Sequence, residues 1–295
     1  MTQNHGRGSP VEHGFPHLDT VHRALTALFR RLSYDGIRAY DAGFPAADAA
    51  FSPDDDPHLG AQRVARAMVR ALRLPDARLV IGYRAMTEAA TVELGPGPEY
   101  FVEVNERFRT HRRDLGAALA HEVAHVLLHR LDLRFPTTED NEILTDTTAA
   151  YLGAGWLLLD AYREDELTHQ KLGYLTPEEF GYVLAKRGEL IGEDLSTRFT
   201  SPRAYEAYAR GRALAARDHR RAPLAVASWP ERLRYARDRR TGSAAPGASY
   251  RFERHADGQR VSFPCPVCRQ WLRLPVGGPV RARCGLCHTV LECDT

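Results

Sequence analysis

The stretch LAHEVAH, residues 119–125, constrains this chain more than any other. Residues i and i+4 share one face of a helix, so His121 and His125 project together, with Glu122 directly after the first. Leu119, Ala120, Val126, Leu127 and Leu128 flank them, and no Pro or Gly falls between Ala117 and Phe135. A segment this apolar belongs in a core. Two imidazoles and a carboxylate taken into a core need partners, since an unpaired buried polar group costs on the order of 2–7 kcal/mol. The fold must therefore bring something to this face, and the spacing suits a metal ion.

Two histidines leave a zinc site incomplete. His129 continues the series, but at ~1.5 Å rise per residue it lies about 12 Å along the axis from His121. Zn–N bonds of about 2.0 Å cannot bridge that span. The extended HExxHxxGxxH arrangement is excluded as well, because Leu128 and Leu131 stand at its Gly and third-His places. Downstream, NEILTD (residues 141–146) again sets two carboxylates, Glu142 and Asp146, on one helical face. A helical hairpin would bring Glu142 to the histidines as third ligand and leave a fourth position open for water, as catalytic zinc requires. Asp146 would then accept the other N–H of a ligand histidine and fix its tautomer. It is also the next carboxylate in line as ligand should Glu142 point elsewhere. Two His and one carboxylate suit Fe(II) too, but the glutamate inside the motif favours zinc hydrolysis.

HEVAH followed by NEILTD resembles the HExxH…ExxxD pattern of the gluzincin, thermolysin-like metallopeptidases. The resemblance covers roughly residues 78–160. It implies a mainly helical, zincin-like domain with a small sheet. It also implies zinc on His121, His125 and Glu142, with Glu122 as general base and Asp146 behind the ligands. YFVEVNERF, residues 100–108, looks like the edge strand on which such enzymes hold an extended peptide, near Val102 and Val104. The family's transition-state-stabilising residue has no motif here; His169, Tyr174 and Arg203 are the candidates.

A second metal signal closes the chain. All five cysteines lie after residue 264, four of them in CPVC (Cys265, Cys268) and CGLC (Cys284, Cys287), separated by 15 residues. This spacing resembles a zinc ribbon, in which each pair wraps one edge of a tetrahedron. Four thiolates leave no open position, so this zinc should be structural and should supply the folding energy of a module too small for its own core. Cys293 is spare and reads as a buried strand residue. Cysteines spaced for metal rather than disulfides point to a reducing cytoplasm. The polar N-terminus offers no secretory h-region, and no apolar run reaches the roughly 18 residues of a membrane span.

The net charge of +2 conceals an asymmetry. Residues 201–283 carry 18 arginines against six acids, while the first 200 residues are net acidic. A basic C-terminal third opens the way to a nucleic-acid or protein partner there, with Arg269, Arg273, Arg281, Arg283 and Trp271 as contact residues. A solvated basic hairpin packed by Trp271 is the plainer account.

Hydrophobic periodicity predicts helices over 19–32, capped by Asp19, then 59–74, 112–131, a segment from Thr138 as N-cap, 176–190, 201–218 and 228–240. Short β-rich runs fall between 78 and 108. The expected architecture is α+β: a disordered tail over 1–18, a metallopeptidase-like domain over 19–240, a linker over 241–259 and the ribbon over 260–295. The expected function is a zinc peptidase acting on peptide or protein, with one catalytic and one structural zinc. The alternative is a non-catalytic, zinc-stabilised regulatory or nucleic-acid-binding protein working through its ribbon.

Overall fold

The computed structural model describes residues 11–164 and 169–295. It is a mixed α and β fold. Helix α1 (Leu18–Arg38) kinks at Ser33, whose φ of 66° breaks the helix where the predicted run ends. Asp19 lies in its first turn, and His17 rather than Asp19 is the N-cap. Helix α2 (Pro57–Ala71) starts on Asp56, whose side chain accepts from the amides of His58 and Leu59. Strands β1 (Arg78–Arg84), β2 (Ala90–Val92) and β3 (Glu99–Asn105) follow.

These strands form one sheet in the order β1-β3-β2, β1 parallel and β2 antiparallel to β3. The expectation that the Val102–Val104 strand is an edge is therefore wrong. β3 is the central strand, with Val102 and Val104 buried and paired on both sides. Alternation of apolar residues reports which face of a strand is buried, not how many neighbours it has. The edge against the site helix is the three-residue β2, which packs on α3 (Leu115–Arg130).

Helix α3 is buried on nearly every side, and so is α4 (Thr138–Tyr151), capped by Thr137 rather than Thr138. Short α5 (Trp156–Asp160) and the paired β4 (Arg163–Glu164) and β5 (His169–Gln170) lead to α6 (Pro177–Ile191). The capping box of Thr176 and Glu179 starts α6. Helix α7 (Pro202–Asp218) crosses α6 closely because Gly211 and Gly181 meet there; a Cβ on Gly211 would lie 2.1 Å from the amide nitrogen of Tyr182.

Of the predicted disordered tail, residues 1–10 lie outside the described residues. Residues 13–17 are seated on the start of α6. The Gly14 amide donates to Glu178, Thr176 Oγ1 donates to the Gly14 carbonyl at 2.7 Å, and His17 Nδ1 sits 3.0 Å from Glu179.

After α8 (Trp229–Thr241) comes the cysteine module. It begins upstream of the expected boundary: β6 (Arg251–His255) occupies part of the predicted linker and pairs with β7 (Gly258–Pro264), which pairs with β8 (Trp271–Pro275). Strands β9 (Pro279–Arg283) and β10 (Val290–Asp294) make a separate hairpin. Residues 223–225 run beside β10, with the Asp294 amide donating to the Pro223 carbonyl and the Ala225 amide to that of Glu292. One continuous apolar core runs from Val21 to Cys293. Among the described residues no helix is long and apolar enough to cross a membrane.

Candidate metal centres

Asn141 sets the turn between α3 and α4. Its side chain donates to the carbonyls of Phe135 and Thr137 and accepts from the Phe135 amide, all within 2.9 Å. The hairpin so formed lays the Glu142 face of α4 on the histidine face of α3. His121 Nε2 and His125 Nε2 lie 3.1 Å apart, and Glu142 Oε2 lies 3.1 Å from the first and 3.3 Å from the second. The three predicted ligands are thus brought together, and they form one of two groups among the described residues that can hold a metal ion.

Two tests show that a cation suits this trio. For metal–ligand bonds of about 2.0 Å, a tetrahedron has ligand–ligand edges of about 3.3 Å, close to the three distances found. The outer ring nitrogens decide the second test. His121 Nδ1 is 2.7 Å from Asp146 Oδ1, an acceptor, so it carries hydrogen. Thr145 Oγ1 donates to the Asn141 carbonyl at 2.9 Å and therefore accepts from His125 Nδ1, 3.3 Å away. Both Nε2 lone pairs then face the Glu142 carboxylate. Three acceptors in such a cluster need a cation among them, a proton or a metal.

The protonation of the metal-free site expresses the same demand. Burial opposes a charged His121, but Asp146 and Glu142 outweigh it and raise the ring to about 10. Burial also works against ionised Glu142, yet hydrogen bonds from His121 and His125 hold it well below the usual carboxylate range. Glu122, only 3% exposed, has its carboxyl pushed up by burial, with His121 and His125 pulling the other way. His125 is the ligand that solvent reaches, its side chain 19% exposed against 1% for His121.

Asp146 is fully buried and does more than orient a ring. Its Oδ2 accepts the amide hydrogens of Tyr174 and of Leu175, the latter at 3.0 Å. Gly173 permits that approach: its φ is +85°, and a Cβ there would stand 2.6 Å from Asp146 Oδ2. The role of Thr145 and of these loop amides is not visible in the motif. The signals present were the place of Thr145 one turn beyond Glu142 and a glycine just before the TPEE helix start.

His129 stays out of the site, its Nε2 3.0 Å from the Gly95 carbonyl. Of the three candidates for transition-state stabilisation, Tyr174 lies beside the site, its ring stacked on His121 at 6.3 Å. Arg203 is exposed at the start of α7 and pairs with Glu206. The His169 side chain lies outside the described residues.

The second group is the four cysteines, all buried and unbridged. Cys265 and Cys287 Sγ lie 3.6 Å apart, as do Cys268 and Cys284. That is too far for a disulfide and close to the ~3.8 Å edge of a tetrahedron with 2.3 Å metal–sulfur bonds. Both CxxC pairs fold into the same turn. The residue after the second cysteine, Arg269 or His288, has φ near 60° and donates its amide to the first cysteine's carbonyl at 3.0 Å. Cys293 is buried in β10, outside the cluster.

The sequence-defined basic cluster does not form one face. Arg269 is buried against Asp218, Arg273 pairs with Glu253 and Arg281 with Glu292. Trp271 is exposed, but on the sheet that does not carry Arg281 and Arg283. Comparison with known proteins adds nothing to this geometry: no family model, curated protein or solved structure matches the chain.

Proposed function

We propose that the chain is a zinc-dependent peptidase of the gluzincin, zincin-like type, with His121, His125 and Glu142 as the zinc ligands. The observation that carries the reading is the paired orientation of the two imidazoles. Asp146 and Thr145 each take an Nδ1–H, so both Nε2 lone pairs are aimed at one point beside Glu142. A purely structural role for a His pair does not call for three convergent acceptors.

Zinc bound there supplies Lewis acidity towards a carbonyl and lowers the pKa of water. The other work falls to this chain's own residues. Asp146 holds His121 in one tautomer, and Thr145 does the same for His125. Glu122, with its raised affinity for protons, takes a proton from the attacking water on a carboxylate oxygen and returns it to the leaving amine. Tyr174, stacked on His121, is the candidate beside the site among the described side chains for steadying the developing oxyanion. An extended substrate would pair with the outer edge of β2 near Val92, the strand edge packed on α3. The cysteine cluster has no open position and serves as a structural zinc site.

The test is zinc content together with casein hydrolysis, for the wild type and for Glu122→Gln. The variant should retain two zinc ions per chain while its cleavage rate falls at least a hundredfold, within the range assigned to acid–base groups. Equal hydrolysis by both proteins, or none by the zinc-loaded wild type, would remove the peptidase reading and favour a regulatory protein built around two structural ions.

A further inference from the structure

Helix α1 also lines a second feature, one that does not depend on the peptidase reading. Between α1 and the β6–β8 sheet runs a groove of about 1010 Å³. Pockets that receive organic ligands span roughly 300–1,000 Å³, so this one has room for several linked units. Its lining has six arginines, Arg23, Arg30, Arg31, Arg221, Arg251 and Arg269, against one acid, Asp19. Trp271 also lines it, 46% exposed.

Arg23 pairs with Asp140 and Arg269 with Asp218, both acids from outside the groove lining. The two arginines at the C-terminal end of the α1 wall are held differently. Arg30 donates to Gln270 at 2.7 Å and Arg31 to the Leu131 carbonyl, both neutral acceptors. A guanidinium has five N–H groups, so each keeps donors for an incoming anion. Arg269 is only 8% exposed, and its buried Nε finds no hydrogen-bond partner. Arg251 lies over the indole of Trp271 at 4.7 Å from the ring centroid, joining a cation to a flat apolar surface.

We propose that this groove binds single-stranded nucleic acid, with phosphates on the α1 arginines and a base stacked on Trp271. The charge excess selects a polyanion. The exposed indole selects among polyanions, because every base offers a face that stacks on it whatever the sequence. An acidic peptide would satisfy the arginines without stacking on the exposed indole.

The experiment uses the full-length, zinc-loaded chain and a short fluorescein-labelled oligothymidylate, followed by anisotropy across a salt series. Wild type should bind at low salt and weaken as salt rises. Trp271→Ala should bind about tenfold more weakly, and Trp271→Phe should recover most of that loss. Arg30→Ala with Arg31→Ala should weaken binding and flatten the log–log salt slope by about 0.7 for each phosphate no longer neutralised. Arg283→Ala, exposed on β9 and outside the groove, should bind as wild type does. No binding at low salt by a normally melting wild type would overturn the proposal, as would affinities indifferent to the groove variants. Polyglutamate competing as well as the oligonucleotide would also overturn it, in favour of an acidic protein partner.

Discussion

Asp146→Asn changes one atom of a group that serves two masters. The carboxylate gives Oδ1 to His121 Nδ1 and Oδ2 to the amides of Tyr174 and Leu175. Asparagine has a single acceptor oxygen to divide between them. If that oxygen stays on His121, the new NH2 faces two backbone N–H groups and leaves both without acceptors, at about 1–3 kcal/mol each. If it stays on the amides, the NH2 faces His121 Nδ1, which can accept it by moving the ring hydrogen to Nε2. The second arrangement costs less and should prevail. His121 then turns an N–H towards the metal instead of a lone pair. Loss of such a partner typically weakens metal binding 10–100-fold, or about 1.4–2.8 kcal/mol. The metal-free protein should lose stability as well, by about 3–5 kcal/mol, because the buried, protonated His121 loses the carboxylate charge that does most to hold its proton. The assay is competition with a chromophoric zinc chelator, with the cysteine-bound ion as internal reference and a thermal melt beside it. Two ions retained with the wild-type competition curve would show that Asp146 does not set the tautomer of His121.

Three further perturbations follow from the same geometry. In the metal-free protein His121 keeps its proton up to about 10, against 6.5 for the ordinary ring, so its contribution is complete below pH ~6.5 and drains away as the pH climbs to about 10. Glu142, held below the usual range, adds stability above its ordinary pKa of ~4.3 and loses it as the pH falls. Melts of chelated protein should show a decline through the alkaline window that zinc flattens; a level or rising Tm there would contradict the assignment. Asp218→Ala should cost about 3–5 kcal/mol, read by denaturant unfolding, because Lys186 and Arg269, each 3.1 Å from that carboxylate, are left buried without it; a loss below about 1 kcal/mol would argue against a buried ion cluster. Gly173→Ala should lower zinc retention at the histidine site without touching a ligand, because its methyl meets Asp146 Oδ2; unchanged retention would mean the loop yields.

The two candidate metal clusters were legible because their signal is local. Four-residue spacing fixes which side chains share a helix face, and the apolar surroundings of His121 and His125 imply that they need partners. The CxxC pairs are legible for the same reason. What escaped depends on chain segments far apart in sequence. Nothing in YFVEV says that β1 will lie parallel to it and β2 antiparallel, and so make it a central strand. The acceptors that bind residues 13–17, Glu178 and Glu179, come some 160 positions later. Polar composition near a terminus marks solubility only when no such partner exists. The basic C-terminal third was visible as a charge count, but the groove it helps to form takes its other wall from α1.

Helix α6 links the two clusters that can hold a metal ion. Just before it starts, the Tyr174 and Leu175 amides grip the carboxylate behind His121. Near its far end Lys186 Nζ donates to the Pro266 carbonyl inside the first cysteine turn, while Thr26 of α1 holds the Cys268 carbonyl. One rigid rod, roughly 22 Å long for its 15 residues, thus has a thiolate clasp at one end and an imidazole clasp at the other. Cutting the chain before β6 would uncover Lys186 and Asp218 to water and loosen the rod whose other end steadies the histidines, so the small module acts as a keystone for a cluster it never touches.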